Sequence, residues 1–180
     1  MLSDFITRHE LDKLLVQEFT NPDTLNIRGY VTHHNIRTSM RETAKLARKE
    51  RPITIVHKLP SGRAMSAEYS EISLSNVYAP SGSAQRTERE LLNTELPFAF
   101  YTTSSHTILG REFNCVLKPA NSSDSFLPSR ALSKIFKSLS LVDTWLQDPL
   151  RPSCTHHCPT AATRLDRIYV SPELVKRKSS

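Results

Sequence analysis

Three short polar strings, each placed where a run of apolar residues ends, constrain this chain more than any other feature of its sequence. In chain order they are Asn-Val-Tyr-Ala-Pro at 76–80, Glu-Phe-Asn at 112–114 and Thr-Arg-Leu-Asp-Arg-Ile-Tyr at 163–169. A short apolar run bounded by polar or turn residues is typical of a strand. A further polar pair, Gln17-Glu18, follows the apolar run Leu14–Val16. The pattern therefore predicts several short strands that end in side chains capable of chemistry.

The predicted strands alternate with fewer helices. Glu71–Tyr78 alternates cleanly, which places Asn76 and Tyr78 on one face of a strand. A helix is predicted after Ser3, which is a suitable cap, and another over Gln85–Leu96. The most regular helical pattern covers Ser129–Ser140, and its apolar residues at helical spacing are Leu132, Ile135, Phe136 and Leu139. Strands outnumber helices, so the sequence predicts an α+β sandwich.

The remaining local predictions concern turns and two further strands. Pro60–Gly62 is predicted to form a turn between two strands. Gly29-Tyr30 and the polar stretch Thr32–Thr38 are predicted to be turn and loop. Thr107–Leu109 and Leu165–Val170 are predicted to be strands.

Size and charge limit the kind of protein and its partners. The 180 residues suit one domain, and 24 Lys and Arg against 18 Asp and Glu give a net charge of +6. Such a balance favours a polyanionic partner, either nucleic acid or an acidic membrane surface. No apolar stretch is long enough to span a membrane and no secretory signal is visible, so we expect a soluble intracellular protein without a membrane partner. Three cysteines, an odd number, argue against a disulfide framework.

Taken together and in order, the strings resemble the endonuclease domain of non-LTR (LINE-type) retrotransposons. These domains belong to the exonuclease–endonuclease–phosphatase superfamily, alongside apurinic/apyrimidinic endonucleases. The resemblance covers nearly the whole chain, from about Ser3 to Ser171. It implies a four-layer αββα sandwich of two packed β-sheets flanked by helices, formed by residues 1–171 and lacking the first strand and the C-terminal end of the family fold. Residues 172–180 are expected to be a basic, flexible tail.

The resemblance also decides one ambiguous segment. Ser39–Glu42 forms a capping box, and Ala44–Glu50 is rich in helix formers, so local signals favour a helix there. The family places a strand at this position, usually opened by Arg-Gly-Thr-Ala, where this chain has Arg-Glu-Thr-Ala. Lys45 follows where an apolar residue is usual. We predict a strand.

The resemblance implies roles for residues of each string. Glu18 matches the glutamate that holds Mg²⁺, the expected divalent cofactor, and Tyr78 matches a tyrosine that points at the scissile phosphate. Glu112 stands where an aspartate accepts the proton of the attacking water or orients it. Asn114 matches an asparagine that donates to the phosphate. Oxygen ligands and a few carboxylates suit a magnesium-dependent phosphodiesterase.

The other matched residues are expected at the phosphate or beside the base. Asn76 and Thr163 match residues that contact phosphate. Asp166 matches the aspartate that orients a catalytic histidine in the family. Arg164 and Arg167 can contact phosphates of nucleic acid, although solvated strand faces explain such arginines equally well.

Three departures from the family pattern point to lost activity. Glu112 replaces the usual aspartate and reaches one methylene further, and Arg111 replaces a glycine. A displacement of about 1 Å can lower a rate about a hundredfold. The histidine of the family lies in a Ser-Asp-His motif, which this sequence lacks, so Asp166 has no histidine to orient. We expect a nuclear, monomeric fragment of an enzyme that nicks DNA, originally linked to a reverse-transcriptase domain, with activity impaired or lost.

Alternatives remain open at this point. The chain could be a non-catalytic nucleic-acid binder, a phosphatase of the same superfamily, or the product of a decayed reading frame. A zinc site is a further alternative, built from Cys154, His156, His157 and Cys158 with Cys115. Its spacing is poor for zinc, and a variable loop is the favoured interpretation.

Overall fold

The computed structural model describes residues 2–19, 22–36, 42–79, 94–97, 104–112, 134, 136–147, 154–158 and 161–176. The strands in these ranges are β1 (Lys13–Phe19), β2 (Tyr30–Asn35), β3 (Glu42–Arg48), β4 (Thr54–Lys58), β5 (Ala64–Tyr69), β6 (Ile72–Tyr78), β7 (His106–Glu112), β8 (Val142–Asp143), β9 (His156–Cys158), β10 (Ala161–Thr163) and β11 (Asp166–Val170). The α-helices are α1 (Leu2–Arg8) and α2 (Pro172–Lys176), and Pro22–Leu25 and Thr144–Gln147 form 3₁₀ turns. Residues 94–97 and 136–138 are also helical.

Two sheets carry the site. One sheet has three strands in the order β1-β3-β2, and the other has six in the order β4-β5-β6-β7-β11-β8. Strands β6 and β7 are parallel, whereas the other described pairs are antiparallel. A parallel pair needs a long crossover connection, and residues 79–105, which include the helical residues 94–97, provide it. The crossover brings the ends of β6 and β7 to the same end of the six-stranded sheet.

Three apolar clusters divide the molecule into four layers. Ile6 of α1 packs with Leu46 on one face of the three-stranded sheet. Between the sheets, Ala47 packs against Leu74. On the far face of the six-stranded sheet, Phe136 stacks on Tyr169 with ring centroids 4.3 Å apart. Burying each leucine, isoleucine or phenylalanine of these clusters contributes about 1.5–3 kcal/mol. The layers run helix, sheet, sheet, helix, so the predicted αββα sandwich is confirmed.

Two helix ends follow signals in the sequence. Ser140 has φ 51°, and the N–H of Leu141 donates to the carbonyl of Phe136 at 3.2 Å, which closes the helix predicted to end at Ser140. At the C-terminal end, Pro172 and Glu173 open α2 in positions that favour a helix start. Residues 172–176 of the expected flexible tail are therefore helical, and 177–180 lie outside the described residues. No described helix is long and apolar enough to cross a membrane.

Strand β2 corrects one prediction. The loop predicted over Thr32–Thr38 is wrong for its first part, because Tyr30–Asn35 pairs in register with β3. The four side chains at positions 32–35 are polar, which the edge position of β2 tolerates, and the Asn35 amide is buried against backbone carbonyls. The ambiguous segment before Glu50 is a strand as predicted, since β3 pairs on both sides. At this segment, pairing with the two neighbouring strands outweighs the local preference for a helix.

Lys45 places its side-chain amino group between the two sheets. The side chain is 1% exposed, and its Nζ donates a hydrogen bond to the backbone carbonyl of Leu74 on β6. Burial lowers the pKa of Lys45 well below its usual value, because the charged form loses its hydration. Lys45 therefore places an amine in the core, at a position where an apolar residue is usual in the resembling family.

Candidate active site

Three of the predicted site residues lie side by side on neighbouring strands. Tyr78 at the end of β6 is in register with Glu112 at the end of β7, and Glu112 is in register with Asp166 at the start of β11. Neighbouring strands are about 4.8 Å apart, so the three residues form one row. The row faces the three-stranded sheet, because Gly110, two residues before Glu112, packs under Leu15 of β1. We call Tyr78, Glu112 and Asp166 the site row.

Glu18 lies opposite the site row, on the three-stranded sheet. The Tyr78 hydroxyl donates a hydrogen bond to Oε1 of Glu18. Pairing between β1 and β3 shifts register between Gln17 and Phe19, so Glu18 is the extra residue of a β-bulge. Its φ is 52°, a conformation uncommon for a residue with a side chain. A bulge bends its strand and can re-aim a side chain. Here the bulge accompanies a carboxylate that contacts the tyrosine of the opposite sheet.

Asn76 joins the two sheets beside the site row. Its Nδ2 donates to the carbonyls of Val16 at 2.9 Å and Ala44 at 3.1 Å, and its Oδ1 accepts from Gln17 Nε2 at 2.6 Å. Asn76 is fully buried. Its contacts and those of Tyr78 confirm the prediction that both residues share one face. Because both amide hydrogens bond to backbone carbonyls, the geometry supports a bridging role, and phosphate binding by Asn76 stays a prediction.

An arginine that the sequence analysis did not single out packs against the tyrosine. The guanidinium carbon of Arg63 lies 5.6 Å from the centroid of the Tyr78 ring. The Arg63 backbone carbonyl accepts a hydrogen bond from the Tyr78 N–H at 2.8 Å, and the residue is buried. The available signal was a charged residue directly after the Pro60–Gly62 turn and directly before an apolar strand. A charged residue in that position is expected to be solvated, so the sequence does not predict that Arg63 is buried.

Arg164 and Arg167, the two arginines of the Arg-Leu-Asp-Arg string, both make hydrogen bonds within the protein. Arg164 Nη2 lies 2.5 Å from Asp143 Oδ2, and its Nη1 lies 3.4 Å from Oδ1. Arg167 is 1% exposed and donates from Nη2 to the backbone carbonyl of Arg164 at 2.6 Å. Two-pronged arginine–carboxylate pairs are strong and directional. The contacts support a structural role, and nucleic-acid binding by either arginine stays a prediction.

The start of β11 is held by a threonine hydroxyl. Oγ1 of Thr155 accepts hydrogen bonds from the backbone N–H groups of Leu165 and Asp166, both at 3.0 Å. The N–H of Thr155 donates to the carbonyl of Thr163 at 3.1 Å. Asp166 is thereby fixed at the end of the site row with an exposed side chain, whereas Thr163 is buried. The phosphate contact expected of Thr163 stays a prediction.

The Gly110–Asn114 string is described only in part. Asn114 and Cys115 lie outside the described residues, and the phosphate contact expected of Asn114 stays a prediction. A close approach is seen at Gly110, where an added Cβ would lie 2.7 Å from Cδ1 of Leu15. Gly110 therefore lets β1 sit tightly on β7, which keeps Glu18 near the site row.

The donor chemistry at this end of the sandwich fits a divalent cation of the magnesium type. Glu18 is exposed and offers carboxylate oxygens, of which Oε1 accepts from Tyr78. Mg²⁺ is commonly held by one or two carboxylates together with substrate phosphate and water. Glu18 is the residue that would hold it, with Glu112 and Asp166 on the facing strands. Among the described residues, no three His, Cys, Asp or Glu side chains already converge on one point.

The alternative zinc ligands lie on a separate hairpin. His156 and His157 are exposed on β9, which pairs with β10. Cys154 is half-buried. Neighbouring residues on a strand point to opposite faces, so the two histidines diverge.

Solved structures of several DNA-processing enzymes share this fold. The 3′ phosphatase NExo from Neisseria, bound to product DNA hairpin, is 19% identical with a TM-score of 0.79, covering 97% of this chain and 82% of that chain. An AP endonuclease from Archaeoglobus fulgidus is 14% identical with a TM-score of 0.77, covering 98% and 82%. TDP2 from D. rerio, complexed with single-strand DNA product, is 14% identical with a TM-score of 0.62, covering 94% and 74%.

No protein-family model and no curated protein matches the chain. At identities of 14–19%, the likeness to these solved structures establishes the sandwich fold alone.

Proposed function

We propose that this chain is a fragment of a retrotransposon-type endonuclease whose ancestral reaction was Mg²⁺-dependent hydrolysis of DNA phosphodiester bonds. The observation that carries the proposal is the site row of Tyr78, Glu112 and Asp166 facing Glu18 at one end of the sandwich. Structures with this fold include enzymes bound to DNA products. By the same resemblance, we propose a nuclear monomer that acts on DNA and whose parent element also encodes a reverse transcriptase.

Each residue of the site has a defined part in the proposed reaction. Glu18 would hold the cation, which when bound would supply positive charge for the oxygens of the scissile phosphate. Tyr78 directs its hydroxyl toward the phosphate, and Glu112 takes the proton of an in-line water. Asp166, at the outer end of the row, would orient a further base. The two sheets hold these groups on different strands, so their spacing depends on the sandwich.

We also propose that catalysis is impaired or lost in this chain. Glu112 is longer than the aspartate of the resembling family, so its carboxylate overshoots the water by about 1 Å. A misplaced base takes the proton of the attacking water less efficiently, and the proposed loss of catalysis rests on this change.

Nicking of supercoiled plasmid tests the proposal. With Mg²⁺, the purified chain is expected to convert plasmid to the nicked form no faster than its Glu18→Ala variant. Glu10→Ala is the matched control, since Glu10 is also an exposed glutamate with positive φ, 48°. Mg²⁺-dependent nicking that survives Glu10→Ala and disappears in Glu18→Ala would contradict the loss of catalysis and support the assigned metal ligand.

A DNA-binding assay distinguishes a remnant endonuclease from a non-catalytic nucleic-acid binder. The net charge of +6 favours binding to duplex DNA, with a binding constant whose logarithm falls linearly with the logarithm of salt concentration. Fluorescence anisotropy with a labelled duplex measures this dependence. Added Mg²⁺ is expected to tighten binding in the natural chain and not in Glu18→Ala. Equal affinities with and without the cation would favour the non-catalytic nucleic-acid binder.

A further inference from the structure

We infer that Arg63 is a positioning residue, which holds the Tyr78 ring so that its hydroxyl meets Glu18. This inference rests on the proposed function, because it concerns how the same site is kept in shape. The resemblance assigns no role to Arg63. This residue lies in the turn of residues 59–64 and connects that turn to Tyr78 of the site row.

The turn before Arg63 is closed by its own backbone. The N–H of Leu59 donates to the carbonyl of Ala64 at 2.9 Å, and the N–H of Gly62 donates to the carbonyl of Leu59 at 3.0 Å. Gly62 has φ 76°, which a residue with a side chain rarely adopts. The turn of residues 59–64 thus has a defined shape before any side chain contacts it.

Side chains of the opposite sheet brace the same turn. Asn35 Nδ2 donates to the carbonyls of Leu59 at 3.1 Å and Ala64 at 2.8 Å. The hydroxyl of Thr43 donates to the carbonyl of Gly62 at 3.0 Å. Asn35 and Thr43 are both buried. Breaking a buried hydrogen bond leaves a polar group without compensation, so these contacts resist movement of the turn. The position of Arg63 is therefore fixed by both sheets.

Arg63 then acts on Tyr78 in two ways. Its carbonyl fixes the tyrosine backbone, and its guanidinium lies near the ring, 5.6 Å from the centroid. A cation near an aromatic face is attracted by the electron-rich ring, most strongly where water is excluded. The ring thus has a cation on its side and the Glu18 carboxylate at its hydroxyl. Removing the cation frees the ring to turn and weakens its hold on Glu18.

A ¹⁹F NMR experiment tests this coupling without any catalysis. With 3-fluorotyrosine incorporated at position 78, the ¹⁹F shift is compared between the parent protein and its Glu18→Gln variant. The shift difference reports how firmly the hydroxyl contacts residue 18. We expect most of this difference to be lost in the Arg63→Met background and part of it to be kept in Arg63→Lys, which retains a cation. Arg28→Met, at an exposed arginine, is expected to keep it in full.

The outcomes are separable from those of the nicking assay, since the ¹⁹F signal needs no turnover. A folded Arg63→Met protein that keeps the full shift difference would overturn the inference. If Arg63→Met does not fold by circular dichroism, Thr43→Val decides, because it removes the brace on Gly62 and leaves the arginine in place. A reduced difference in Thr43→Val supports the positioning role, and an unchanged one rejects it.

Discussion

At the scale of single residues, Glu18 combines an unfavourable backbone with a contact to the opposite sheet. Its φ of 52° places it in the left-handed region, where a residue with a side chain is strained by about 1 kcal/mol or more. The strain coincides with the carboxylate that faces Tyr78. Strained residues concentrate at functional sites because the surrounding structure holds them there. The bulge thus supports the assignment of Glu18 by a route independent of sequence resemblance.

Comparing glycine with alanine at position 18 tests this strain. Both substitutions remove the hydrogen bond from Tyr78, so their difference isolates the backbone. Glu18→Gly is expected to be more stable than Glu18→Ala by about 1 kcal/mol, because glycine adopts positive φ without steric cost. Urea unfolding measures the difference in free energy. Equal stability of the two variants, or greater stability of the alanine variant, would show that the backbone at Glu18 is relaxed.

Lys45 gives a second prediction at the residue scale. Its pKa is lowered in the folded state by burial, so the unfolded chain binds the proton more tightly. Between the lowered pKa and the ordinary value near 10.4, the unfolded state binds more protons, and stability rises with pH. Below that window the charge is buried and its full penalty is present. Lys45→Met is expected to stabilise the protein by at least about 1 kcal/mol at neutral pH and to flatten the rise.

Thermal melts from neutral to alkaline pH check this expectation. Lys49→Met, at an exposed lysine just beyond β3, is the control and should leave the pH dependence unchanged. A Lys45→Met protein that keeps the alkaline rise in melting temperature would mean that another group causes it.

At the scale of elements, Asn76 is the polar contact that fastens β6 to the opposite sheet. Asn76→Ala would leave the carbonyls of Val16 and Ala44 without their donor and open a small cavity. We expect a loss of about 2–4 kcal/mol in urea unfolding. Ser75→Ala is the control, because the Ser75 hydroxyl is buried without a hydrogen-bond partner in the described part of the chain. A loss near zero for Asn76→Ala would instead favour a purely phosphate-binding role.

The elements show where sequence patterns succeed. Alternation predicted β6 and the common face of Asn76 and Tyr78, because successive side chains of any strand point to opposite faces of its sheet. The strand β2 was missed since its edge position tolerates histidines, threonine and asparagine that read as loop. Asn35 packs under the turn of a different sheet, a contact that no local pattern encodes. Resemblance decided β3, where propensity alone favoured a helix.

At the scale of the whole molecule, the sandwich was predictable and the site only in part. The order of the polar strings gathered Tyr78, Glu112 and Asp166, because each string ends or begins a strand at one end of the same sheet. The order of the strings does not predict which side chains at this end of the molecule are buried. Arg164 pairs with Asp143, and Arg63 enters from a turn, through contacts between residues far apart in the chain. Such long-range contacts depend on three-dimensional packing that local spacing does not contain.

The wide separation of the site row along the chain governs when it can form during synthesis. Strands β4, β5 and β6 are successive hairpins and can pair as soon as they leave the ribosome. The row is completed only when β11 pairs with β7, from which it is separated by residues 113–165. Pairings between distant segments form slowly. A nascent chain therefore has no assembled row until β11 has emerged, and a formed row is a sign that this distant pairing has taken place.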